Sequence, residues 1–363
     1  MNERISIDTR TIQPGDIFIP VGDGVKYCNE AKKKGATVLN VSLTDYAIQK
    51  RSKYKGIVIG VTGSFGKTTL KDTLSAAFSN QGVSATEKNF NNEIGVPLTI
   101  ANADLNSPYW VIEMGIRKPG DMAHLAAIVQ PNIAVLSGFG YTHMEFYTHT
   151  LDLLKEKLCI IQKSTTKLFI PSNILYKDDI YKLSKDVEII ECYIEELLNT
   201  NIALTNCIAD FFKLDPILTK KSIESMQRSP HRLNEVVLKN GITILDDSYN
   251  SNPIAVKFAT EYCLKYYKNK KILFVLGDME ELGKNSAMLH KDTYEWIASH
   301  PTIQSIITFG KRFKTSLINF ETKEALIDYI LLNTDQLDLI LFKGSRSNQL
   351  DQVIERLVEL SAK

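Results

Sequence analysis

The chain has 363 residues, enough for two or three domains, and 44% of them are hydrophobic, enough to fill cores of ordinary size. A formal net charge of +1 gives no electrostatic drive toward nucleic acid or an anionic membrane, and no stretch is apolar for long enough to span a bilayer. The five cysteines (Cys28, Cys159, Cys192, Cys207, Cys263) are odd in number and form no C-x-x-C pair, so they read as reduced thiols of a cytoplasmic protein; the first residues carry no apolar signal region.

Residues 1–55 read as a small leading module. Segments 5–8 and 17–19 are short strands around the Pro14-Gly15-Asp16 turn, and a short helix over 31–35 precedes a strand over 37–41. Residues 56–228 alternate strand and helix, the pattern of a doubly wound sheet. It opens with the apolar run Ile57-Val58-Ile59, continues into Gly60-Val61-Thr62-Gly63-Ser64-Phe65-Gly66-Lys67-Thr68-Thr69, and then shows Leu70, Leu74, Ala77 and Phe78 at helical spacing. Strand, glycine loop and helix in that order make a phosphate cradle. The loop turns backbone N–H groups onto phosphate at the positive end of the helix, Lys67 reaches the terminal phosphates, and the Thr68 hydroxyl sits on magnesium. Val61 stands where the common Gly-x-x-x-x-Gly-Lys form has its first glycine. Further strands fall at 110–113, 133–136 and 168–170, with a helix over about 150–162; between 176 and 215 the pattern is too weak to assign elements. Residues 229–363 restart the alternation. Strands at 243–245, 272–276, 306–309 and 339–342 are interleaved with helices at 253–267, 286–299, 323–333 and 348–361, a smaller α/β domain with a largely parallel sheet.

Parallel sheets bind ligands beyond the C-terminal ends of their strands. There the sequence places Glu113, His143, Lys157 on the following helix, Asp246, Asp247, Asn250, Asp278, Lys343 and Arg346. Each has an ordinary reading. Glu113 suits a helix cap, His143 a locally bonded loop histidine, Lys157 a solvated helix face, Asp246-Asp247 a turn before Pro253, and 343–346 a capped loop. Their common edge, shared with a triphosphate loop, favours chemistry.

With these residues the chain resembles the Mur ligases almost end to end, and within them the D-alanyl-D-alanine-adding branch. The resemblance rests on Asp8-Thr9-Arg10 with Pro14-Gly15-Asp16-Ile17-Phe18, on the phosphate loop, on residues 89–99 (NFNNEIGVPLT), and on Glu113-Met114-Gly115 followed by Pro119-Gly120-Asp121. In the last domain it rests on residues 246–253 (DDSYNSNP), residues 276–283 (LGDMEELG) and Lys343-Gly344-Ser345-Arg346. It implies an α/β, three-domain architecture: a reduced N-terminal module on the nucleotide-sugar side (1–55), a central ATPase domain (56–228) and a C-terminal Rossmann-like domain for the amine substrate (229–363).

The implied reaction is ATP-dependent peptide-bond formation through an acyl phosphate, in peptidoglycan precursor synthesis, by a cytoplasmic monomer acting on small molecules. ATP and Mg2+ are the implied cofactors. Lys67, Glu113, His143, Lys157 and Arg232 are the implied catalytic residues, with Thr68, Glu113, His143 and Lys157 around magnesium. Lys157 matches by spacing a lysine that many members carbamylate; Lys155 is a neighbouring candidate. Gly63, Ser64, Phe65, Gly66, Lys67, Thr68, Thr69, Asn92, Asn206, Arg232 and Asp247 would bind nucleotide, with Asn91 beside Asn92 lining the site. Asp8, Thr9, Arg10, Asn250, Asn252, Lys343 and Arg346 would bind substrates, the last two as carboxylate anchors, and the domains would close for catalysis.

The chain departs from the family in its short leading module, where Val25, Lys26, Tyr27, Cys28 and Asn29 follow Gly22-Asp23-Gly24, and in Thr200-Asn201 where His-Asn is usual. Three functions stay open: ligation to UDP-muramoyl tripeptide, ligation of another carboxylate and amine, and a nucleotide-binding protein without catalysis.

Overall fold

Three short strands, β1 (Ile5–Ser6), β2 (Ile17–Phe18) and β3 (Thr37–Val38), open the computed structural model, which describes residues 4–301, 303, 305–313, 316–333 and 337–361. They pair in parallel in the order β1-β2-β3, so the first two are not arms of a hairpin. Helices α1 (Cys28–Lys33) and α2 (Leu43–Lys53) flank the third strand, and the Ser42 hydroxyl caps α2 by accepting from the Asp45 N–H.

The central sheet contains β4 (Ile57–Thr62), β5 (Val83–Ala85), β6 (Tyr109–Glu113), β7 (Ile133–Leu136), β8 (Lys167–Pro171) and β9 (Glu188–Cys192). All are parallel, in the order β5-β6-β4-β7-β8-β9. The chain leaves β4 toward one side and later returns to the other, which puts β4 at the switch point where such sheets bind ligands. Its helices are α3 (Lys67–Ala77), α4 (Gly95–Asn102), α5 (Asp121–Val129), α6 (Thr150–Leu158), α7 (Lys177–Leu183), α8 (Thr200–Phe211) and α9 (Pro216–Glu224). On one face Leu70 and Leu74 of α3 and Leu204 and Ile208 of α8 pack on Ile59, Val61 and Val135. The leading sheet is joined to this body through Ile5, Ile19 and Leu43 packed with Ala101, and through Asn102, whose side-chain amide bonds both backbone groups of Ile5.

A last sheet holds β10 (Asn234–Val237), β11 (Thr243–Asp247), β12 (Ile272–Gly277), β13 (Ser305–Phe309), β14 (Asn319–Phe320) and β15 (Leu339–Lys343), in the order β10-β11-β15-β12-β13-β14. It is parallel except for β10, which runs antiparallel on the edge. Alternate residues face opposite sides. Ile244, Val275 and Ile340 pack with α12 (Lys323–Leu332) and α13 (Leu350–Ser361); Leu245, Phe274 and Leu341 pack with α10 (Pro253–Tyr266) and α11 (Ser286–Ala298).

The chain forms two compact units: Met1–Phe139 with Leu151–Glu195 and Asn199–Met226, and Gly140–Thr150 with Glu196–Leu198 and Gln227–Lys363. Among the described residues no helix is long and apolar enough to cross a membrane. The cysteine expectation needs correction. Cys192 at the end of β9 and Cys207 on α8 form a disulfide with Cα atoms 5.8 Å apart, leaving Cys28, Cys159 and Cys263 free. The two elements that bring them together lie in the stretch where the sequence pattern is weakest.

Candidate active site

The loop between β4 and α3 is held from behind. The Ser64 N–H donates to the Gly138 carbonyl at 2.8 Å, and the Ser137 hydroxyl donates to the Phe65 carbonyl. Gly66, at the N-cap of α3, has φ of 76° and lies so close to Asn201 that a Cβ there would sit 2.9 Å from the amide oxygen. Only glycine takes that conformation without strain. Asn201 of α8, marked in the sequence only for the Thr200-Asn201 departure from the usual His-Asn and given no role there, is a neighbour of the loop. Asn206, the residue singled out there, is exposed on the same helix.

Two ammonium groups converge on one carbonyl inside this loop: Lys67 Nζ donates to the Gly63 oxygen at 2.9 Å and Lys157 Nζ donates to the same oxygen at 3.0 Å. Lys157 is only 1% exposed. Its neighbour Glu156 accepts from the N–H groups of Gly120 and Met122 at the start of α5, which fixes α6 and therefore Lys157. Lys155, by contrast, is half exposed and pairs with Asp152 one turn away. A buried cation beside a half-buried one in a glycine loop suits an anion.

Glu113 ends β6 fully buried. Its Oε1 accepts from Thr68 Oγ1 at 3.1 Å and from Asn91 Nδ2 at 2.6 Å, and its backbone N–H donates to Thr86 Oγ1 at 2.9 Å. Its Oε2 has no hydrogen-bond partner among the described residues. A buried carboxylate oxygen left bare beside a Thr hydroxyl fits a hard, oxygen-seeking cation such as Mg2+. Among the described residues no three His, Cys, Asp or Glu side chains gather as a metal centre. A cation at Glu113 would therefore take most of its ligands from phosphate and water, as Mg2+ does. Asn92, next to Asn91, accepts from the N–H groups of Ile94 and Gly95 and so starts α4. Thr69 lies in the first turn of α3.

Other sequence-derived residues sit in the second unit or the leading module. His143 adopts φ of 55° and pairs through Nδ1 with Glu281 at 2.8 Å. Arg232 lies over the Tyr249 ring, 4.3 Å from its centroid. Asp247 pairs with Lys343 at 3.1 Å; burial pushes its carboxyl up and the lysine opposes that. Lys343 is itself buried and also donates to the Asn250 carbonyl. Arg346 pairs with Asp351 at 2.8 Å. Asn250 accepts from the Ser251 N–H, and Asn252 caps α10 by accepting from the Ala255 N–H. In the leading module Arg10 holds Asp8 down to about 2, and the Thr9 carbonyl accepts from Lys34. The structure thus gathers Lys67, Thr68, Glu113 and Lys157 around one loop, and holds His143 and Arg232 on partners of the other unit.

Family models match two segments: "Mur ligase middle domain" over residues 61–197 and "Mur ligase, glutamate ligase domain" over 231–346. The UDP-N-acetylmuramoyl-tripeptide–D-alanyl-D-alanine ligase of Bacillus subtilis (strain 168) is 26% identical, covering 98% of this chain and 93% of that protein. A crystal structure of MurF from Acinetobacter baumannii shares the fold with a TM-score of 0.85 at 22% identity, covering 98% of this chain and 93% of that one. MurF ligase from Thermotoga maritima, solved in complex with ADP, gives 0.82 at 24% identity, covering 99% and 98%.

Proposed function

We propose, for a chain that belongs to the Mur ligase family, ATP-dependent ligation of D-alanyl-D-alanine to UDP-N-acetylmuramoyl tripeptide in peptidoglycan precursor synthesis. The observation that carries this reading is the extent of the likeness. It spans nearly all of this chain and of its relatives, whereas a phosphate loop alone would equally suit a kinase or an ATPase.

The acceptor carboxylate takes the γ-phosphoryl group of ATP, giving an acyl phosphate and ADP. The dipeptide amine then attacks the acyl carbon, phosphate leaves, and the amine proton passes to solvent. Such chemistry needs charge neutralisation and alignment more than it needs a protein nucleophile. Lys67 exchanges the Gly63 carbonyl for the terminal phosphates. Thr68 and Glu113 would hold Mg2+, which would supply neutralisation of phosphate charge. Lys157 serves as a carbamate, formed when its neutral amine adds CO2 and gives up a proton to solvent. The modified Nζ keeps one N–H for the Gly63 carbonyl and gains a carboxylate-like group.

A second reading, another carboxylate acceptor, is favoured by one observation: the leading sheet is built of three strands of two residues each. The two readings part in one assay of purified protein with ATP. Phosphate release that needs both UDP-N-acetylmuramoyl tripeptide and D-alanyl-D-alanine, with a pentapeptide product by mass, is the expected result. ATP binding without release on that pair would reject the first reading.

A further inference from the structure

The disulfide of Cys192 and Cys207 joins β9 to the helix that lines the phosphate loop. Cys192 is the last residue of β9, the edge strand of the central sheet, and is 1% exposed. Cys207 is half-buried on α8, and the two Cα atoms lie 5.8 Å apart, the ordinary spacing of a bridged pair. Helix α8 is the wall on which α3, the helix of the phosphate loop, is packed. Leu204 and Ile208 of α8 meet Leu70 and Leu74 of α3 in one apolar layer, to which Cys192 also belongs. Within that layer the hydroxyls of Thr205 and Thr73, both buried, lie 2.7 Å apart. The Thr205 hydroxyl is also 2.8 Å from the Asn201 carbonyl, and Asn201 brings its amide to Gly66 at the start of α3. From Cys207 to Asn201 is about 9 Å along the helix, at ~1.5 Å per residue. The chain leaves the first unit at Glu196 and returns at Asn199, so the bond ties the point of exit to the helix by which it returns.

The bond is no part of a disulfide scaffold, since Cys28, Cys159 and Cys263 stay free in the same chain. Cys207 is open to small molecules, and exposed disulfides are the labile ones. Helix α8 depends on its neighbours, because Thr200, Asn201, Thr205 and Asn206 are poor helix formers. We infer that Cys192 and Cys207 are a thiol switch on the nucleotide site: the bridged form holds α8 and Asn201 against the loop, and the dithiol form loosens them and lowers affinity for ATP. The inference rests on the reading of the loop as an ATP site and adds its regulation. The oxidant is a peroxide. The Cys207 thiolate attacks one peroxide oxygen, the O–O bond breaks, and a sulfenic acid and one water result. The Cys192 thiolate then attacks that sulfur, the S–O bond breaks and a second water leaves. Two thiols and one hydrogen peroxide thus give one disulfide and two waters, with two electrons passing from sulfur to oxygen. A small dithiol reverses the step by exchange at Cys207 and ends as its own disulfide.

The test measures the Kd of Mg-ATP for the full chain after stoichiometric hydrogen peroxide and after dithiothreitol, each removed before titration. The dithiol form is expected to bind about fivefold or more weakly, the low end for coupled sites, and to regain affinity on reoxidation. Cys207→Ser should bind as the dithiol form does after either treatment. Cys28→Ser with Cys159→Ser should leave the response intact, which assigns it to the bridge rather than to the other accessible thiols. Linkage requires a reciprocal result. In a glutathione buffer, saturating Mg-ATP should raise the ratio of disulfide to dithiol by the same factor, read by alkylation of the unfolded chain and mass. Affinities of the two forms within about twofold of each other overturn the proposal and leave the ligase reading standing. Alkylation of all five cysteines after peroxide overturns it as well. A chain that binds ATP in neither form rejects both the ligase reading and the switch. If Cys207→Ser does not fold, the two forms of the unmodified chain still decide.

Discussion

Lys157 is 1% exposed and donates from its Nζ to a backbone carbonyl, a placement in which burial works against the charged form of an amine. On the proposed ligase reading, the neutral amine would add CO2 and lose a proton, and the resulting carbamate would supply a carboxylate-like group at the site. Lys157→Ala is therefore expected to lose activity by about 10–100-fold or more, the scale for removing a group that orients a metal, and to recover part of it in formate. Lys157→Arg restores the charge and should gain nothing from formate. Full activity in Lys157→Ala would remove the residue from the site. His290 makes a second residue-scale case. Its Nε2 accepts from the Met279 N–H and its Nδ1 lies 2.7 Å from the Ser286 carbonyl, so the neutral ring is the bonded one. Burial lowers its pKa below the ordinary 6.5, against the pull of the Ser286 bond, Asp278 and Glu280. Below about pH 6.5 the unfolded chain binds a proton that the folded chain refuses, so stability contributed here is present above that value and falls as pH falls. His290→Phe should cost about 1–3 kcal/mol at pH 7.5 by orphaning the Met279 N–H. It should also flatten the loss of urea midpoint between pH 7.5 and 5.5; an unchanged acid slope would exclude His290 as its source.

At the scale of elements, the disulfide between β9 and α8 closes a segment with a sequence separation of 15. Loop-closure entropy for that length is about 3 kcal/mol. Unfolded protein prepared without reductant should show three titratable thiols and five after reduction, and Cys207→Ser should lower the unfolding midpoint only under non-reducing conditions. Five thiols without reductant would show the bond absent. Why α8 escaped the sequence is physical. Thr200, Asn201, Ile202, Thr205 and Asn206 are all poor helix formers, and the helix exists because Leu204, Ile208 and Ala209 bury against α3 and the sheet. Strands β4, β7, β12 and β15 were legible because strands covered on both faces read as unbroken apolar runs. Edge strands β10 and β14 lack that signature. In the site, the loop, Thr68 and Glu113 were readable from local motif. The meeting of Lys157 with Gly63 was not, being a contact across 94 positions that depends on how α6 is anchored.

For the whole molecule, the division into two units is less simple than the sequence suggests. A break in pattern near residue 228 is visible in the chain, and the main body of the second unit does begin at Gln227. What composition and periodicity do not reveal is that Gly140–Thr150 and Glu196–Leu198 belong to that unit although their flanks belong to the first. They are placed there by side chains such as His143 on Glu281 and Glu196 on Lys265. The covalent chain therefore crosses between units five times. The second unit is thus not a cassette. A chimera that exchanged everything after Met226 with a relative would pair one protein's His143 and Met144 with another's Glu281 and Gly283, at backbone conformations tuned to each other. Transplanting the second unit intact would call for three grafts made together, and a single breakpoint would leave its contacts mismatched.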